Sequence, residues 1–195
     1  MSKHRNRPVK AASQIVTLKD IERHVLDDAL ELIATVGLAN PLMNTMRIFE
    51  LEDPYLAPAL FLRTTLSRHV VLVTTRLHAL RGIGNTGETA SIESYLHYAE
   101  VEGALLTAQA DIFRSNRQDM ILKLEADGIP FAELTNFRNA ELAHSLHRSL
   151  PSTNKLVSLP IWDFAHNTYE LVLKIEKAVS GTAKLDTKFQ EWLDY

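Results

Sequence analysis

Residues 18–37, LKDIERHVLDDALELIATVG, decide the fold class. Leu18, Ile21, Val25, Leu26, Ala29, Leu30 and Ile33 return every three or four positions, the spacing that gathers apolar side chains on one face of an α-helix. Thr17, three residues before Asp20, reads as an N-cap, and Gly37 marks the expected stop.

The same period continues along the chain. A short helix is expected over Pro41 to Glu50. Asp53-Pro54 then reads as an N-cap with proline at the first helical position. It opens a long helix to about Leu80, with Leu60, Leu62, Leu66, Val70, Val73 and Leu77 on its stripe. After RGIGNTGE (81–88), a further long helix is expected from Ser91 to Ala126, stopped by Asp127-Gly128. Pro130 opens a segment that carries RNAELAH (138–144) and breaks at Pro151. A last long helix runs from Pro160 to Val179, with Gly181 as its stop, and LDTKFQEWL (185–193) forms a short amphipathic tail. No strand-like alternation bounded by turns appears. The expectation is an all-α fold, an antiparallel bundle of four to five long helices.

At 195 residues the chain suits one domain with a substantial core. The expected division is a basic, disordered arm over 1–16, a helical domain over 17–181 and a short C-terminal helix over 182–195. Lys3, Arg5, Arg7 and Lys10 precede the first acid, Asp20, and read as a solvated arm, with phosphate contact as the other use for such a cluster. No cysteine is present, which removes disulfides and thiolate metal sites and points to a reducing compartment. The basic N-terminus has no apolar stretch behind it, unlike a secretory signal. The longest apolar run, ALFLRTTLSRHVVLVTTRL (59–77), is interrupted by Arg63, Arg68, His69 and Arg76. Because a span needs about 20 mostly apolar residues, the expectation is no membrane helix and a cytoplasmic protein. A net charge of −3 argues against general nucleic-acid coating but leaves room for a local site around one phosphate.

Most chemistry-like patterns here have plainer readings. Gly82, Gly84 and Gly87 spell GxGxxG, which binds dinucleotides only where a strand turns into a helix; following a helix, it reads as an interhelical turn. Glu93, His97 and Glu100, and likewise His24, Asp28 and Glu31, share helix faces. A di-metal bundle needs Glu-x-x-His twice, which neither segment supplies, so no metal and no cofactor are expected. Nucleophile-elbow and Walker patterns are absent from the sequence.

The remaining candidate is Arg138-Asn139-Ala140-Glu141-Leu142-Ala143-His144. Spacing alone does not single it out, since Arg63 and His69 share the same interval. Its context differs: a polar Asn follows the Arg, and a small residue precedes the His just before the helix breaks. Here the chain resembles the HEPN superfamily, and within it the branch named for the U-type abortive-infection systems of phage defence. FRNAELAHSL (137–146) resembles that branch's Arg-polar…Ala-His signature. VTTRLHAL (73–80) looks like its upstream Arg-Leu segment, and LPIWDFAHNTYELV (159–172) is similar to the Asp-bearing start of its final helix. The resemblance covers about residues 55–180. One departure is His78, where the family pattern places an acid.

The resemblance implies a helical homodimer acting as a metal-independent endoribonuclease of toxin or phage-defence type, with Arg and His facing a cleft between subunits. Six residues advance a helix by about 600°, so Arg138 and His144 on one regular helix would point about 120° apart. A partner chain across a two-fold axis, or a helix break before His144, would let them converge. In that reading Arg138, Asn139 and His144 are catalytic. Glu141, His147 and Arg148 support them, RNA is the substrate, and an antitoxin is an expected partner. A related toxin group carries a Tyr shortly after the His that an antitoxin modifies; here Ser145, Leu146 and His147 follow, so no such modification is expected. Three other readings stay open, one of them a metal-binding helical bundle. A non-catalytic HEPN module would bind nucleotide, RNA or protein. Alternatively, Arg138 and Glu141 form a surface i,i+3 pair, with His144 against a helix C-terminus.

Overall fold

A computed structural model describes residues 16–43, 55–80, 90–143, 159–182, 184–185 and 187. All regular structure among them is helical: α1 (Leu18–Met43), α2 (Leu56–Leu77), α3 (Ile92–Val101), α4 (Thr107–Ala126), α5 (Phe131–Ala143) and α6 (Leu159–Ser180). The chain is an all-α protein.

The start of α1 follows its sequence. Thr17 N–H donates to Asp20 Oδ2 (3.1 Å) and Asp20 N–H to Thr17 Oγ1 (3.3 Å), a reciprocal cap that uses two N–H groups the helix cannot bond itself. Its end does not. The helix passes through Gly37 to Met43. Glycine inside a helix costs about 1 kcal/mol relative to alanine, and the extension offsets that with backbone bonds and the complete burial of Ala39. The expected helix over Pro41 to Glu50 therefore begins inside α1, and its remainder lies outside the described residues, as do Asp53 and Pro54.

A second correction concerns the expected helix from Ser91 to Ala126. It is two helices, α3 and α4, divided at Glu102–Leu106. Gly103 takes φ +71°, a left-handed turn cheap only for glycine. Ala104 and Leu105 N–H both return to Ala99 O (2.8 and 3.1 Å), and Leu105 is buried. Arg114 of α4 holds the two helices together, meeting Glu93 (3.0 Å) and Glu100 (2.5 Å) of α3 and Asp111 (3.1 Å) of its own helix.

Helix α6 forms the centre. Ile161, Trp162, Phe164, Ala165, Thr168, Tyr169, Leu171, Val172 and Ile175 are buried, a stripe wide enough to meet α1 on one side and α4 on another. Glu176, fully buried on α6, accepts the Leu185 N–H with both carboxylate oxygens (3.0 and 3.3 Å), which fixes the first residues beyond α6 against the core. Burial pushes the Glu176 carboxyl above its usual range.

Helix α2 is unevenly covered. Val70, Val71, Val73, Thr74, Thr75 and Leu77 are buried, whereas Phe61 and Leu62 near its start are exposed. With a mean hydropathy of 1.2 over an 18-residue window, of which 22% is buried, α2 is long and apolar enough by composition to cross a membrane. Arg63 and Arg68 do not remove it from that class, although the buried C-terminal half reads equally as a core helix. Helix α1 lies along α2, and α5 packs against the C-terminal end of α2, which is where the candidate site forms.

Candidate functional site

Leu134 and Phe137 of α5 are buried and set the face on which the next residue, Arg138, reaches α2. The last turn of α2 has a carbonyl to offer. Ala79 N–H turns to Arg76 O (3.1 Å) rather than continuing the α-helical pattern, so Thr75 O lacks its usual intrahelical donor. Arg138 Nη1 donates to Thr75 O (3.2 Å), and its Nε and Nη2 donate to Asn139 Oδ1 (3.2 and 3.0 Å). A guanidinium has five N–H donors, and among the described residues three are engaged, which leaves two for another acceptor. The two residues that the resemblance marks as catalytic are thus bonded to each other, and Arg138 is half-buried.

One turn on, Arg117 of α4 donates from Nη2 to the His78 carbonyl. Arg117 is only 8% exposed, and its Nε has no hydrogen-bond partner among the described residues. Desolvation lowers its pKa, so the buried charge stands against an energetic cost. His78 is wholly buried between Phe164 (ring centroids 4.8 Å) and Phe131 (5.9 Å). Burial, helped by the Arg117 charge, lowers its pKa to about 3, so the ring is neutral at physiological pH. Its tautomer follows from its neighbours. Thr168 Oγ1 donates its proton to Phe164 O (2.7 Å) and so can only accept from His78 Nε2 (2.9 Å). The proton sits on Nε2, and Nδ1, left as a bare acceptor, has no partner among the described residues.

These groups border a cavity of about 920 Å³ lined by Leu72, Val73, Ile121 and Phe131 together with Arg76, Arg117 and Arg138. Arg76 is neutralised: Asp28 accepts from its Nε (2.6 Å) and Nη2, and Glu31 lies 3.6 Å away and also meets His69 (3.0 Å). Neither Arg117 nor Arg138 pairs with a carboxylate among the described residues.

The three segments quoted from the sequence meet here. VTTRLHAL supplies Thr75, Arg76 and His78, FRNAELAHSL supplies Arg138 and Asn139, and LPIWDFAHNTYELV supplies Phe164 and Thr168. His78, where an acid was expected, is a core residue and not a second solvent-facing group. Glu141 belongs to the last turn of α5, its side chain outside what is described; His144, His147 and Arg148 lie outside the described residues. So do Gly82, Gly84 and Gly87, which follow a helix and not a strand. The side chains that share those helix faces have other partners: Glu93 and Glu100 hold Arg114, and Asp28 and Glu31 hold Arg76. Among the described residues no group of three or more His, Asp or Glu is placed to hold a metal ion.

Sequence reading passed over Arg117. Its signal was available, because Ala110, Arg117, Ile121 and Leu124 stand on one helical stripe, and all four are buried. Comparison with family models, curated proteins and solved structures gives no match.

Proposed function

We propose that the chain is a metal-independent endoribonuclease of the toxin or phage-defence kind, with a HEPN-like helical fold, working in the cytoplasm as a homodimer restrained by an antitoxin. The observation that carries this reading is the state of Arg138: a guanidinium fixed by Thr75 O and Asn139 that, among the described residues, meets no carboxylate and keeps two N–H groups to offer. Such a donor is preorganised for the non-bridging oxygens of a phosphodiester as charge builds there.

In the proposed reaction His144 removes the proton from an RNA 2′-hydroxyl, whose oxygen attacks the adjacent phosphorus. The bond from phosphorus to the 5′-oxygen breaks, and that oxygen takes a proton from an imidazolium, leaving a 2′,3′-cyclic phosphate and a 5′-hydroxyl. Asn139 holds Arg138 in line. General acid–base help contributes about 10²- to 10⁴-fold, and charge stabilisation by one donor about 10²- to 10³-fold. The test is cleavage of RNA and of the same-sequence DNA in EDTA, by the wild type and by His144→Ala. RNA-only cleavage that His144→Ala abolishes supports the proposal; equal loss of DNA, or dependence on a divalent metal, refutes it.

One observation favours the second reading, a non-catalytic HEPN module. The Arg138 bond to Thr75 O satisfies the end of α2, which is a sufficient structural use for the residue. If RNA binds but is not cut, and His144→Ala changes nothing, that reading replaces the first.

A further inference from the structure

From the cavity between α2, α4 and α5 we infer a binding site for a small organic anion with an apolar body, an aryl or medium-chain alkyl carboxylate. The inference does not depend on the ribonuclease reading.

Charge is the first argument. Arg117 and Arg138 both line the cavity, and their anchoring carbonyls, His78 O and Thr75 O, lie three residues apart, about 5 Å along a helix axis. The C-terminus of α2 contributes about half a negative charge, shared between two full positive ones. Glu93 acts on Arg117 from beyond ion-pair distance, and Glu31 of the lining faces Arg76 and His69; among the described residues neither guanidinium has a carboxylate of its own, and Arg117 is 8% exposed with its Nε unpartnered. One anion set between the two guanidiniums answers both.

The second argument is the wall. Leu72, Val73, Ile121 and Phe131 give the ligand an apolar body to match. Thr75, which could serve a polar ligand, already donates its hydroxyl to Val71 O (2.7 Å). Glu31, His69, Gln118, Thr135 and Asn136 also border the cavity, and a carboxylate with an apolar body needs polar partners only at its head. The volume of about 920 Å³ lies within the range of small-molecule sites, roughly 300–1,000 Å³.

The experiment is calorimetric titration of the full chain, without RNA, with phenylacetate and octanoate, their uncharged amides, inorganic phosphate and uridine monophosphate. The expected result is saturable binding of at least one carboxylate, at least tenfold weaker for its amide. Arg117→Gln and Ala132→Phe are each expected to weaken it at least tenfold. The second variant keeps every charge and fills space from the cavity wall, so it carries the test if the first does not fold by circular dichroism. Equal affinity for amide and carboxylate overturns the inference. So does binding of the nucleotide or phosphate alone, absence of carboxylate binding, or affinity unchanged in a folded Ala132→Phe protein.

Discussion

Acid should destabilise this protein in part through one identifiable residue, His78. Its ring is neutral in the fold with a pKa lowered to about 3, against an ordinary value of 6.5. A depressed histidine pKa means that the unfolded chain binds the extra proton first, so stability falls as pH drops below 6.5 and goes on falling toward 3. The slope for one proton is about 1.4 kcal/mol per pH unit, so between pH 6.5 and 4.5 His78 alone removes roughly 2.5 kcal/mol. That is a large part of the 5–15 kcal/mol typical of a domain. Other groups titrate too, and His78→Gln isolates this one. The glutamine amide keeps a donor for Thr168 Oγ1 but takes up no proton. Urea unfolding should give a steeper loss of stability with acid for the wild type than for His78→Gln, by about 1.4 kcal/mol per unit between pH 6 and 4.5. Parallel pH profiles for the two proteins would refute the buried, neutral assignment and with it the tautomer argument.

Other consequences follow at separate sites. Gly37→Ala should raise stability by about 0.5–1 kcal/mol, since the residue is helical and exposed and a Cβ there would meet nothing within 4 Å. A lower Tm for that variant would contradict the helical backbone at position 37. Glu176→Gln should hold or raise the Tm above pH 7, because the raised folded pKa makes the buried carboxylate least favourable at high pH, whereas the amide oxygen still accepts from Leu185. Glu176→Ala should instead cost about 1–3 kcal/mol by leaving that buried N–H without an acceptor.

Periodicity placed most helix cores correctly because burial itself creates the period. Leu18, Ile21, Val25, Leu26 and Ala29 were all on the predicted stripe of α1, and all are buried. Ends were harder. Gly37 looked like a stop, but a glycine penalty of about 1 kcal/mol is a local preference that packing beyond it can outweigh. Gly103 looked ordinary inside a long helical pattern, yet it ends α3 through a positive φ that no apolar period records. At the site, Arg138 and Asn139 were singled out by the polar residue after the Arg and by the resemblance of RNAELAH, and the structure bonds them to each other and to α2. The stripe of α4 marked Arg117 for burial, but its role and the burial of His78 were not legible in the same way. Their roles come from which carbonyl, hydroxyl or ring the fold brings opposite them, and those partners lie 39 and 90 residues away in the chain.

The most direct measurement is cleavage of a labelled RNA in EDTA by the wild type, Arg138→Ala and His144→Ala, with folding of each variant checked alongside. The account predicts a 2′,3′-cyclic phosphate product from the wild type, activity lowered at least a hundredfold in both folded variants, and no action on the matching DNA. Intact RNA with the wild type, or cutting that both folded variants retain, would contradict it.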